Sequence, residues 1–253
     1  MGDTSAALAE VIARIAAPDA PAGDSDEAPR GGPTTVTGEL AVLHDWWRSV
    51  GADRPLVAVD IPCSAGTVAD GLAAADRAVD AGATLLVPRV VDRDDLAART
   101  VVALLTRREA SAVVHQPVGM SDRAWMAQVA SVRDGVAAST ELRGEPEQLT
   151  GTIGTRGIAV AVGVLLGAAA RQTPVIIDGT DELAAALLAD RLCYRAKGWW
   201  RPGSTSPDSG RIAAVDRLDI AAGVPLGLSD DAGLGARATL ALLALALDMP
   251  GDS

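Results

Sequence analysis

The chain has 253 residues and a formal net charge of −11 at neutral pH, with two histidines and two cysteines. That surplus of negative charge argues against nucleic acid and anionic lipid as partners, and against phosphate-bearing ligands unless arginines or helix N-termini compensate locally. The length suits one large α/β domain or one domain with a small appendage. With no Phe and a single Tyr, its core must be built from small aliphatic side chains, which suits helices packed closely on a parallel sheet.

In chain order, Ala6 to Ala16 predicts a short helix, and nothing from Met1 to Ala17 reads as a signal peptide. Pro18 to Thr35 is rich in Pro, Gly, Asp and Ser and reads as a linker. Gly38 to Val50 has helical periodicity, with Leu40, Leu43, Trp46 and Trp47 near one face. Pro55 to Ile61 reads as a buried strand, Val68 to Ala81 as an Ala-rich helix closed by Gly82, Thr84 to Val91 as the next strand and Asp94 to Thr106 as the next helix. The alternation repeats: Ser111 to His115 as strand, Ser121 to Ala138 as a helix capped by Ser121, Gly157 to Arg171 as an apolar helix and Thr173 to Ile177 as strand. Glu182 to Leu192 and Ser209 to Ala222 predict helices, Val224 to Leu228 a short strand, and Gly235 to Leu247 a closing helix that is apolar nearly all round and therefore expected to be buried.

This alternation predicts an α/β protein with a doubly wound, mostly parallel sheet flanked by helices, preceded by a small N-terminal helical segment. The expected division is an N-terminal helix and linker over residues 1–34 and a single α/β domain over 35–250. Ligands of such sheets sit at the carboxyl ends of the strands. The apolar run from Ala238 to Leu247 is too short to span a bilayer. The expectation is a cytoplasmic protein with reduced thiols, no membrane partner, no cofactor and no metal, because two histidines and two unclustered cysteines offer no ligand set.

Three segments carry candidate chemistry. Asp178-Gly179 follows a strand, where a carboxylate beside a glycine suits ligand contact; the plainer reading, a turn or helix cap, is favoured on the residues alone. Ser229 to Gly235 precedes the last helix, and its Asp230 and Asp231 could act as a general base, or simply complement the helix dipole. Cys63 could be a nucleophile, yet no histidine lies near it in sequence, so a structural thiol is the safer reading. Arg99, Arg107 and Arg108 read as a solvated helix face, and Trp199-Trp200-Arg201 as a segment anchored in the core. Neither a P-loop nor a dinucleotide fingerprint is present.

Several segments, in order, resemble the nicotinate-nucleotide–dimethylbenzimidazole phosphoribosyltransferase family: Thr35 to Trp47, Ala81 to Arg108, Gly151 to Gly179 ending in IIDG, Pro202 to Arg211 and Val224 to Leu243. The resemblance implies a homodimeric Rossmann-like protein and transfer of phosphoribose from nicotinate mononucleotide to a benzimidazole-type base, in assembly of the cobalamin lower ligand. A homodimer or a heterodimer with a paralogue, and a small nucleotide or azole ligand, are the partners it implies. It carries over Asp178, Gly179, Gly154, Gly203, Ser204, Gly233 and Gly235 as substrate-binding positions.

The departures fall on the chemistry. Val90 stands where the family has its loop Glu, Asp92 and Asp94 where it has two glycines of a phosphate-binding loop, and Ala232 where it has its general base. Two carboxylates in that loop repel a phosphate, and alanine cannot accept a proton. The segment between the strand ending at Ile61 and the helix at Val68 is also shorter than the family pattern. Two readings follow: a phosphoribosyltransferase with degraded motifs that uses Asp230 or Asp231 as base, or a non-catalytic relative that keeps the fold and the dimer interface.

Overall fold

A computed structural model of the chain describes residues 2–15, 38–51, 54–153, 156–228 and 233–249. Helices α1 (Gly2–Arg14) and α2 (Glu39–Gly51) precede strand β1 (Ala58–Cys63), helix α3 (Val68–Asp80) and strand β2 (Leu85–Val90). Five helices follow: α4 (Asp95–Thr106), α5 (Ala110–Val113), α6 (Asp122–Ser139), α7 (Pro146–Ile153) and α8 (Arg156–Ala170). Strand β3 (Val175–Ile177), α9 (Thr180–Leu192), β4 (Trp200–Pro202), α10 (Ser209–Leu218) and α11 (Leu234–Asp248) complete the order, with 3₁₀ turns at Thr140–Gly144 and Tyr194–Trp199.

The four strands form one parallel sheet in the order β1-β2-β3-β4. Crossovers between parallel strands are right-handed, so a sequential order sends every crossover helix to the same face. Helices α3, α8 and α9 lie there, with α8 against β1 and β2. The opposite face is covered by helices from outside the crossovers, α2 and α11, which pack on each other. Strand β2 shows the division: Leu86 and Val90 point into the larger core, whereas Leu85 and Val87 meet Leu43 and Trp47 of α2 and Ala236 and Leu243 of α11. The expected α/β class, a parallel sheet with helices on both faces, is the observed one.

Local signals explain where helices start. Thr67 and Asp70 form a capping box on α3, the Asp70 carboxylate accepting from the Thr67 N–H at 2.8 Å. Ser121 caps α6 as expected, and Asp94 and Asp208 cap α4 and α10. Small residues let helices approach closely: a Cβ at Gly71 would lie 2.8 Å from the Gly163 Cα and nearer still to the Val160 carbonyl, so α3 and α8 touch backbone to backbone. Helix α1 packs on α8 and α3, with Leu8 and Ile15 buried in the larger core.

Four expectations need correction. Ser111 to His115 is not a strand; Ala110–Val113 is one helical turn whose Val113 carbonyl is taken by Arg99, and Trp125 Nε1 donates to the Val114 carbonyl. A short apolar run cannot distinguish these states by period alone. Val224 to Leu228 makes only a single parallel bridge, Val224 to Ser204. Helix α10 ends at Leu218, before Asp219 in the left-handed region at φ 53°, rather than running to Ala222. Helix α11 is buried on one face only, leaving Leu234 and Leu245 about half exposed. The expected linker Pro18 to Thr35 lies outside the described residues. No described helix is long and apolar enough to cross a membrane.

Candidate functional site

The carboxyl ends of β2, β3 and β4 bring most of the described candidate residues together. Asp178 follows β3 and is 4% exposed. Its Oδ1 accepts from Arg211 Nη2 at 2.6 Å and its Oδ2 from the backbone N–H of Ala236, in the first turn of α11, at 3.0 Å. Gly235 closes over it: a Cβ there would lie 2.7 Å from Asp178 Oδ1 and 2.5 Å from Ser204 Oγ. Gly203 donates its N–H to the Ile177 carbonyl at 2.8 Å and accepts from the Thr239 hydroxyl, and a Cβ on it would meet the Ala236 N at 2.9 Å. Ser204 is buried, and its Oγ has no hydrogen-bond partner. Asp178, Gly203, Ser204 and Gly235 therefore form a closed joint between the sheet and α11. Gly233 caps α11 at φ 75° and lies beside the Arg89 side chain. Gly154, Asp230 and Asp231, with Ala232, lie outside the described residues.

The second half of the site is the loop after β2. Val90 is buried in the larger core. Its backbone N–H donates to Glu182 Oε1 at 2.7 Å, and the Asp94 N–H donates to Asp181 Oδ1 at 3.3 Å. Both carboxylates come from the first turn of α9 and both are buried. Gly179 permits this arrangement, since it sits at φ 130° and a side chain on it would run into Glu182 Oε2, which has no partner. Burial pushes the Glu182 carboxyl up to about 8, against hydrogen bonds from Val90 and its own backbone and the charge of Arg93, with Asp181 adding to the rise. Glu182 is thus mostly a neutral acid at pH 7.

Nothing in the sequence singles out Glu182, Asp181 or Arg211. Acids in the first turn of a helix read as dipole complements, and their burial is a tertiary fact. Arg99 is another correction: it is not solvated but forks onto Asp208, Nη2 to Oδ2 at 2.7 Å and Nη1 to Oδ1 at 3.2 Å. Burial pushes the Asp208 carboxyl up, but Arg99 and the Gly210 and Arg211 N–H groups outweigh it and hold it low. Cys63 behaves as a structural thiol, fully buried, donating to the Ile61 carbonyl and pushed up to about 12 by burial. Trp199 and Trp200 are buried, as their anchoring role requires.

A cavity of about 110 Å³ is lined by Ile177, Leu183, Ser204, Arg211 and Ile212, the residues around the joint rather than Asp178 itself. Small-molecule sites run to about 300–1,000 Å³. Among the described residues no cluster of His, Cys, Asp and Glu could hold a metal ion.

Comparison with known proteins gives this arrangement its setting. A phosphoribosyltransferase family model matches residues 59–252. The nicotinate-nucleotide–dimethylbenzimidazole phosphoribosyltransferase of Streptomyces avermitilis is 35% identical over 186 residues, 71% of this chain and 50% of that protein. The enzyme of the same name from Mycobacterium marinum is 35% identical over 185 residues, 73% and 52% of the two chains. The crystal structure of CobT from Thermus thermophilus matches with a TM-score of 0.62 at 24% identity, over 71% of this chain and 54% of that one, a likeness of fold. The chain spans about half the length of the curated relatives it matches. A family model covering most of the chain, relatives at a third identity and a shared fold together show that it belongs to the nicotinate-nucleotide–dimethylbenzimidazole phosphoribosyltransferase family.

Proposed function

We propose that this chain keeps the scaffold of its family without the family's reaction and works as a non-catalytic partner subunit, paired with a second copy or with a complete paralogue. One observation carries the reading. The backbone N–H groups of Val90 and Asp94, in the loop where the family resemblance expects a phosphate, already donate to the chain's own Glu182 and Asp181. A phosphate entering there would have to displace two buried carboxyl groups from these N–H donors and leave them buried without those hydrogen bonds, a desolvation cost. The closed joint around Asp178 supports the same reading, because both oxygens of this buried carboxylate already accept hydrogen bonds from the chain itself. The reading treats residues 1–34 as an N-terminal extension of one α/β domain over 35–250. Calorimetry with nicotinate mononucleotide, together with sedimentation, tests it: no saturable strand-end binding and a stable oligomer are expected. Nicotinate release on mixing with any azole base would overturn it.

A second reading, phosphoribosyl transfer itself, is favoured by Glu182. A buried carboxyl held near 8, with one oxygen unpartnered at the strand ends, is the kind of group that exchanges protons in catalysis. In this reading Glu182, or Asp230 or Asp231, takes the proton of the azole. Nicotinate release that falls in Glu182→Gln or Asp231→Ala supports it, and release that is absent with every base removes it.

A further inference from the structure

Four arginines converge at the end of the sheet opposite Asp178. Helices α4, α9 and α10 each follow a parallel strand and run back against it, so their C-termini lie at the amino ends of the strands. Arg107 caps α4 in the left-handed region at φ 58°, and Arg191 and Arg217 occupy the last turns of α9 and α10. Arg143 joins them from the 3₁₀ turn after α6. The four line a cavity of about 280 Å³, more than twice the volume of the one lined by Ser204 and Arg211.

Among the described residues these guanidinium groups have no ion-pair partner: none of the four has a carboxylate within 4 Å, and Arg143 Nε is buried with no hydrogen-bond partner. Asp190 lies near enough to feel Lys197, Arg217 and Arg191, yet burial outweighs them and pushes its carboxyl up. An adjoining cavity shares Arg107 and Arg143 and is lined also by Arg108 and Arg133. There the two additional arginines are matched, Arg108 by Asp216 at 3.6 Å and Arg133 by Asp134 at 3.0 Å. In a chain of net charge −11, four arginines around one hollow, with no ion pair among the described residues, form a local reversal of sign. Helix dipoles favour cations at these termini, which accounts for Arg191 and Arg217 one at a time. They do not account for a shared cavity, for Arg143, or for the absence of any hydrogen bond from these side chains to a helix-end carbonyl among the described residues.

We propose that this cavity is a binding site for a ligand carrying two linked phosphate groups, inorganic pyrophosphate or the diphosphate of a nucleotide. The guanidinium fork matches a pair of phosphate oxygens, and four forks suit two phosphates better than one. The cavity lies just under the range of about 300–1,000 Å³ of small-molecule sites. The site is separate from the strand ends and from the reading of their chemistry.

Calorimetry at low salt, with pyrophosphate, ADP and orthophosphate as probes, tests the proposal. Saturable 1:1 binding is expected, tighter for the diphosphates than for orthophosphate, weakening as salt rises, and about tenfold weaker in Arg143→Gln or Arg217→Gln. A preference for ADP over pyrophosphate assigns the nucleotide as the source, and the reverse assigns the inorganic ion. No saturable heat with either diphosphate at millimolar concentration, or equal binding by the variant carrying both substitutions, overturns the proposal. Thermal unfolding guards against a merely structural role: pyrophosphate should raise Tm in the native chain and not in the double variant. A fall in Tm for Arg217→Gln with no pyrophosphate effect on the native chain gives the arginines to the helix dipoles and overturns the site. Nicotinate mononucleotide held at the strand ends would survive both substitutions, so the two tests separate.

Discussion

Replacing Glu182 with Gln isolates the energetic weight of the buried carboxyl. In the fold the group is held at about 8, against an ordinary value of 4.5. Because the folded value lies above the unfolded one, the neutral acid favours the fold fully below about 4.5, and that advantage is lost as pH rises through about 8. At ~1.4 kcal/mol per pH unit the loss between those limits is roughly 4–5 kcal/mol, a large fraction of the ~5–15 kcal/mol that keeps a domain folded. Glutamine has nearly the shape of the neutral acid, keeps an oxygen for the Val90 N–H and never ionises. Urea unfolding of both proteins at pH 5 and pH 8.5 is the assay. The two should be similar in stability at pH 5 to within ~1 kcal/mol, and at pH 8.5 the variant should be the more stable by roughly 3–4 kcal/mol. Parallel stability–pH curves for the two proteins would refute the reasoning, since they would mean that Glu182 does not change its charge on unfolding.

Three further outcomes follow from the same structure. Gly179→Ala puts a methyl group into a backbone at φ 130° and against Glu182 Oε2, and should cost about 3 kcal/mol or more in denaturant unfolding; a cost under ~0.5 kcal/mol would mean that α9 can shift. Arg99→Met should cost about 3–5 kcal/mol by leaving Asp208 charged and buried, and Asp208→Leu added to it should recover most of that loss in a double-mutant cycle. Cys63 should resist a disulfide-exchange reagent in the native chain and react after unfolding, because it is fully buried and held as a thiol; rapid native labelling at Cys63 would contradict its placement.

Much of this architecture was legible in the residues. The strand β2 lies within Thr84 to Val91, α6 begins at its Ser121 cap, and Asp178 stands at a strand end as its flanking apolar run requires. What failed did so for identifiable physical reasons. The stretch Ser111 to His115 is too short for periodicity to decide between one helical turn and a strand. Helix α11 is apolar nearly all round, with Arg237 and Asp248 as its charged residues, so its sequence marks the face that meets the sheet only weakly. At the site, Asp178 was visible but its occupation by Arg211 was not, because the partner lies 33 residues away on another helix. Glu182 and Arg99 carry the polar sequence pattern of solvated helix surfaces while sitting in the interior. Only the neighbours that bury them distinguish the two cases, and those are supplied by distant segments.

The crossing of α3 and α8 at Gly71 and Gly163 inverts the usual tolerance of a protein interior. Most cores fear the loss of large side chains. This one, without a phenylalanine, has few of them to lose at that crossing and no space to gain any. A single added methyl at Gly163 would run into the Val68 carbonyl and the Gly71 Cα and so would force the two helices apart. The spacing of this layer therefore depends on two positions that carry no side chain, and it tolerates no addition at either of them.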